Sequence, residues 1–193
     1  LKVITGAEEN ISKFTGDPIV PKLEMLKANA IGRIQGYDAF EEALNYVALN
    51  YPNNPEGKKA KEIIAEQLPK LALKEFLDSD ITKKTENWKL VFPFKMTESQ
   101  KAQELKELLE KSIKDLNYRN TVSIDVYNLE TQFVVVHGFK SKDYVLGYAE
   151  LIKNNKEYRV PYENFVILSA NYKTIQVHKN LKAYKNHVAT PKP

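Results

Sequence analysis

Three histidines, His137, His178 and His187, are the residues of this 193-residue chain best suited to hold a metal or move a proton. None falls in an H-E-x-x-H pattern or a close i,i+4 pair, and there is no cysteine. A zinc site would therefore have to be assembled from remote positions. His137 follows an apolar run and reads as closing a core strand. The seven glycines are scattered and form no phosphate-binding loop. No nucleophile elbow or Ser/His arrangement stands out either. Glu104, Glu107 and Glu110 alternate with lysines as a solvated helix face does. This inventory points away from an enzyme, and neither cofactor nor metal is expected.

If function lies in surfaces, the elements that form them come first. Composition is ordinary for a globular chain, 42% apolar and 28% charged, and the length suits one large or two small domains. No window reaches the roughly 18 consecutive apolar residues that a spanning helix requires. The absence of cysteine rules out a disulfide framework and leaves the redox compartment open. A net charge of +4 hides an asymmetry: residues 1–80 hold 10 basic and 13 acidic residues, net −3, and residues 81–193 hold 19 and 12, net +7. Five lysines and no acid follow Asn171, among them Lys179, Lys182 and Lys185. Such an end suits nucleic acid, anionic lipid or an acidic partner, and a solvated, partly disordered tail is the plainer reading.

Residues 1–80 read as helical. No element is assigned to Leu1–Val20, where Gly6, Gly16 and Pro18 interrupt β-branched residues. Leu23, Leu26, Ala30, Ile31 and Ile34 then recur at helical spacing up to a stop at Gln35 and Gly36. A second helix is expected over Asp38–Asn50, with Tyr37, Phe40, Leu44, Val47, Ala48 and Tyr51 on one side, ended by Pro52 and Pro55. A third carries Ala60, Ile63, Ile64, Leu68 and Leu71, with Pro69 expected to kink or split it. The polar stretch Asp78–Asn87 suits a domain boundary.

Residues 81–193 read as a mixed module. Trp88–Phe94 alternates as a half-buried strand, with Pro93 at its end or facing no partner. Thr97–Gln100 reads as a capping box opening a helix whose Ala102, Leu105, Leu108, Leu109, Ile113 and Leu116 form one stripe. A second strand is expected at Thr121–Tyr127. The run Thr131–Phe139 makes a central strand, apolar on both faces. Ser141 caps a helix with Tyr144, Val145, Tyr148, Ala149 and Ile152 inward. Strands at Phe165–Leu168 and Thr174–Val177 and a helix from Asn180 close the module. The expected fold class is α+β: a helical hairpin segment over 1–80, then a ferredoxin-like β-α-β-β-α-β module over 81–193 with an extra strand and a C-terminal helix.

Two helices on one side of such a sheet leave the other side open. Val91, Tyr127 and either Val134 with Val136 or Phe133 with Val135 would lie there, less polar than a solvent face usually is. Val91, Tyr127, Val134 and Val136 are therefore the candidate partner-binding residues, unless the chain covers the face itself. The run FVVVHGF lacks the basic, glycine-flanked aromatics of an RNA-recognition strand, which argues against nucleic acid.

The segment YDAFEEALNYVALNYPNNPEGKKAKEII resembles a degenerate tetratricopeptide repeat, with Pro52 where its closing proline would fall. One repeat cannot bury its own face, so further repeats are expected before Leu1. Residues 88–184, above all QFVVVHGFKSKDYVLGYAELI and YENFVILSANYKTIQVHKNLKAY, resemble the C-terminal region of tetratricopeptide-repeat lipoproteins of the SprE/PorW type, of Bacteroidota gliding motility and type IX secretion. That resemblance implies a non-enzymatic adaptor at the periplasmic face of the outer membrane, touching protein components of a secretion translocon. It also implies a lipid anchor outside this chain as the only tie to a membrane. The strand and helix FVVVHGFKSKDYVLGYAELI also look like the sporulation-related (SPOR-like) repeat, which implies peptidoglycan glycan strands as an alternative partner.

Overall fold

The computed structural model of the protein describes residues 1–78 and 87–189. It divides into two compact units, Leu1–Glu75 with Thr174–Lys185, and Phe76–Lys173 with the end of the chain. The division expected at residue 80 thus comes at Glu75 and Phe76, and the chain returns to the helical unit near its end.

The helical unit opens with α1 (Lys2–Lys13), a helix that the glycine-interrupted sequence did not announce. Gly6, inside it, has no other atom within 4 Å of the position a Cβ would take, so only backbone propensity opposes it there. α2 (Val20–Gln35) carries Pro21 in its first turn, where a missing N–H costs nothing. Gly36 alone links it to α3 (Tyr37–Asn50). Its φ of +95° and the Val177 carbonyl 2.8 Å from a would-be Cβ make any larger residue strained. A Cβ at Gly32 would meet the Phe40 ring at 2.6 Å, which shows how closely the two helices approach. α4 (Pro55–Glu62) packs against both of them, and Ala28, Leu44, Val47, Ala48, Ala60, Ile63 and Leu68 form the core they share.

The break expected at Pro69 takes the form of a π-helical turn, Ile63–Gln67, leading into the single turn α5 (Leu68–Leu71). Proline has no N–H and its ring presses on the carbonyl four residues back. Widening the helix just before it, with the Leu68 N–H reaching Ile63 O, relieves that clash.

The mixed unit contains β1 (Trp88–Lys95), α6 (Ser99–Asp115), β2 (Thr121–Val126), β3 (Thr131–Phe139), α7 (Lys142–Asn154) and β4 (Phe165–Leu168). The strands form one antiparallel sheet in the order β2-β3-β1-β4, the split β-α-β arrangement of ferredoxin-like modules. Pro93 lies within β1 opposite Phe133, on an end that β4 does not reach. The start of α6 differs from expectation. A 3₁₀ turn, Met96–Glu98, precedes it, and Glu98 rather than Gln100 reaches back, accepting from the Lys95 N–H at 3.3 Å. Ala102, Leu105, Leu109 and Ile113 of α6 and Val145, Tyr148 and Ile152 of α7 bury one sheet face with Leu90, Phe92, Val134 and Val136. A fully buried large side chain of this kind contributes on the order of 1.5–3 kcal/mol before entropy is counted. Ser141 caps α7 as expected, accepting from the Tyr144 N–H, but Tyr144 itself points to solvent, 70% exposed.

Thr174–Val177 is not a strand. It is the second half of α8 (Ser169–His178), which follows β4 without an intervening turn. The helix expected from Asn180 is α9 (Leu181–Ala189), so Lys182 and Lys185 lie on a helix rather than in a loose tail. The greater part of the boundary expected at Asp78–Asn87, residues 79–86, lies outside the described residues.

Candidate functional site

The parity of strand pairing decides which residues share a face. Val134 stands opposite Phe92 on β1 and Ile124 on β2, and Val136 opposite Leu90 and Val122, so both belong to the helix-covered side. Their expected place on an open face is corrected accordingly. Val91 lies on the second face with Phe133, Val135 and Ile167, all four fully buried. Tyr127, just beyond β2, stacks on Phe133 at a centroid separation of 4.8 Å. That face is not open: Tyr172 of α8 packs its ring toward Phe133, and Tyr127 is itself buried.

Toward one end of the same face a chain of polar groups replaces the apolar ones. A register shift falls between the β1–β3 pairs at Trp88 and Leu90, opposite His137 and Gly138, and Gly138 takes φ +88°. The shift returns Phe139 to the helix side, against Tyr148, and presents His137 to Lys89. Lys89 Nζ donates to His137 Nδ1 at 2.8 Å, and His137 Nε2 meets Ser123 Oγ at 2.7 Å. Ser123 then donates to Asp125 Oδ1 at 2.8 Å, and Tyr172 OH to Asp125 Oδ2 at 2.6 Å. Lys89 Nζ also lies 5.5 Å from the Tyr172 ring centre, which closes the circuit.

The partners fix the proton positions. An ammonium at Nδ1 and a serine already donating to a carboxylate leave His137 neutral with its proton on Nε2. Burial first and the Lys89 ammonium second hold its pKa below the ordinary imidazole value, against a smaller pull from Asp125. Burial likewise lowers Lys89, opposed by Asp125. A serine-activating histidine needs a bare Nε2 and an acceptor at Nδ1. Here both are reversed, so Ser123 gains no nucleophilicity and the circuit serves to hold β1, β2, β3 and the first turns of α8 together. The signal for it in the sequence was the alternation Lys89, Ser123, Asp125 on strands whose other face is apolar.

The remaining histidines sit elsewhere. His178 meets the Leu71 carbonyl through Nε2 at 2.8 Å with its ring beside Tyr37, and His187 Nε2 lies 3.2 Å from Asp78 Oδ1. Among the described residues no group of three or more His, Asp or Glu could hold a metal. The three candidate lysines separate too. Lys182 and Lys185 are exposed on α9, whereas Lys179, between α8 and α9 at φ +54°, is half-buried. Its pKa is lowered to about 8 by burial and then by Arg33.

The helical unit carries an open surface of its own. Between α2 and α3 lies a groove of about 280 Å³, lined by Ile31, Ala39 and Ala43 together with Glu24, Lys27, Glu42 and Tyr46. Glu24 is buried and paired with Lys27 at 2.7 Å, and Lys27 Nζ sits 5.8 Å from the Tyr46 ring centre. Glu42, Tyr46 and Leu49 follow at i, i+4 and i+7 and so share one face, where Tyr46 is 48% and Leu49 77% exposed. α3 holds Asp38, Glu41 and Glu42 and no basic residue. This face was visible in the sequence as what the apolar stripe of α3 left over.

No family model matches the chain, and no curated protein matches it.

Proposed function

We propose that the chain is a non-enzymatic, protein-binding adaptor whose contact surface is the α2–α3 groove with the neighbouring face of α3. One observation carries this reading: a helix face that joins acids to exposed Tyr46 and Leu49, beside a groove whose lining includes the small residues Ala39 and Ala43. Exposed apolar area beside the acids of α3 suits a partner segment with a basic and an apolar side. The central strands β1 and β3 carry buried residues on both faces of the sheet. On the resemblance of residues 88–184, we extend the reading to the cell envelope, with protein components of a type IX secretion and gliding machinery as the partners.

The test is an affinity capture from envelope extract with the wild-type chain and with a Glu42→Lys/Tyr46→Ala double variant. Both sites are exposed, so the variant should keep the wild-type circular dichroism spectrum. Translocon components should be retained by the wild type and lost by the variant. Equal capture by both would remove the groove from the proposal, and capture of no protein would remove the adaptor reading.

A further inference from the structure

A second concave surface lies on the mixed unit, between the end of α6 and the β3–α7 turn. It is a cleft of about 310 Å³ whose lining includes Tyr118, Tyr144, Arg119, Lys140, Asn117 and Asn120. Tyr118 is 44% and Tyr144 70% exposed, although both rings are large enough to be expected in a core. A neighbouring depression of about 580 Å³ shares Asn117, Tyr118 and Asn120, so the surface continues past the first cleft.

The walls are held in place. α6 ends with Asn117 in the left-handed region at φ +56° and the Tyr118 N–H bonded to Ile113 O at 2.9 Å, a Schellman closure that projects Tyr118 and Arg119 together. Tyr118 leans on the buried Tyr148 ring at 5.9 Å. Asn120 donates to the His137 carbonyl at 2.7 Å, tying the loop to β3. A surface fixed in this way loses little entropy when a ligand arrives.

The geometry points to this cleft as a binding site for an acidic oligosaccharide. Sugar rings would lie on Tyr118 and Tyr144, hydroxyls would meet the amides of Asn117 and Asn120, and a ring carboxylate would meet Arg119 and Lys140. A neutral sugar would leave both cations unmatched. A nucleic acid strand draws its affinity from a row of cations on successive phosphates. Here Lys114 in the second depression is accompanied by Glu110, which thins that row. The site is independent of the α2–α3 groove and of the adaptor reading.

Calorimetric titration of the full chain settles the assignment with three probes: a hexasaccharide alternating glucuronic acid and N-acetylglucosamine, its carboxyl-reduced form, and a six-nucleotide oligothymidylate. The acidic sugar should bind most tightly. Tyr144→Ala should weaken it about tenfold, the equivalent of roughly 1.4 kcal/mol. Arg119→Gln with Lys140→Gln should bring the acidic sugar down to the affinity of its reduced form while leaving that form unchanged. All three sites are on the surface, and an unchanged melting temperature would show that the fold persists. No sugar binding, equal binding of both sugars, tighter binding of the oligothymidylate, or indifference to these substitutions would each overturn the proposal.

Discussion

Val134 and Val135 are neighbours in β3, both fully buried, yet they look into different environments. Val134 faces α6 and α7 between Phe92 and Ile124, where its strand neighbours are carbon. Val135 stands between Val91 and Ser123, one pair along from the Lys89–His137 contact. One face of the sheet is held by packing with a neutral hydroxyl pair between Ser112 and Tyr148, the other by packing plus a polar circuit that includes Lys89 and Asp125. Burial alone therefore does not say what a position tolerates.

The same substitution on both sides separates these environments most strongly. Val134→Asp puts a carboxylate where no donor waits, and should abolish the cooperative thermal transition or cost about 4 kcal/mol or more. Val135→Asp has the Ser123 hydroxyl across the strand and the Lys89 ammonium on the diagonal, and should lose roughly 1–2 kcal/mol less in urea denaturation. Equal losses would show that the circuit offers a buried charge nothing.

Next in size is Tyr172→Phe, which removes one of the hydroxyls donating to Asp125 and leaves the ring. A hydrogen bond to a charged group is worth about 1.5–3 kcal/mol, and urea midpoints of wild type and variant would measure it. The control on the other face is Tyr148→Phe, whose hydroxyl lies 2.6 Å from the Ser112 hydroxyl in full burial. A neutral pair of that kind should cost only about 1 kcal/mol. If the control costs as much as Tyr172→Phe, the charge of Asp125 is not what strengthens the circuit.

Much of this contrast could be read before the structure, and the part that could not has a physical cause. The stripe of α6 repeats over four turns, so Ala102, Leu105, Leu109 and Ile113 identify their own face. A run of three valines has no alternation and cannot say which of its sides meets the helices. Only the pairing of Val134 with Phe92 fixes it, and register is information shared between two strands. The window Thr174–Val177 failed differently. Ile175 and Val177 alternate as a strand would, but four residues are too few to separate a period of 2 from one of 3.6. Asn171, Tyr172 and Ile175 are the buried set there, at helical spacing. Asn171 also holds Leu77 through both backbone groups, at 2.8 and 2.9 Å, a long-range pairing with no local signature. The circuit was half legible: Lys89, Ser123 and Asp125 alternate with the apolar residues of β1 and β2, but the shift that brings His137 to Lys89 depends on Gly138 at φ +88°.

Acid should undo the polar face and spare the apolar one. His137 is held neutral in the fold, with its pKa below the ordinary value because burial and then Lys89 oppose a second proton. The unfolded chain, titrating near 6.5, binds that proton more readily. Stability from this group is thus complete above about pH 6.5 and declines as pH falls toward the lower, folded value. The mechanism is local: a proton on Nδ1 turns an acceptor into a donor facing Lys89, and the bond reverses to repulsion. His137→Gln removes the titration while keeping a polar side chain, so the difference in melting temperature between wild type and variant should narrow as pH drops from 8 to 5. This is the smallest of the expected effects, because the imidazole is only partly buried and solvent screens the charge. A difference that stays constant across that range would assign the acid sensitivity of the fold to groups other than His137.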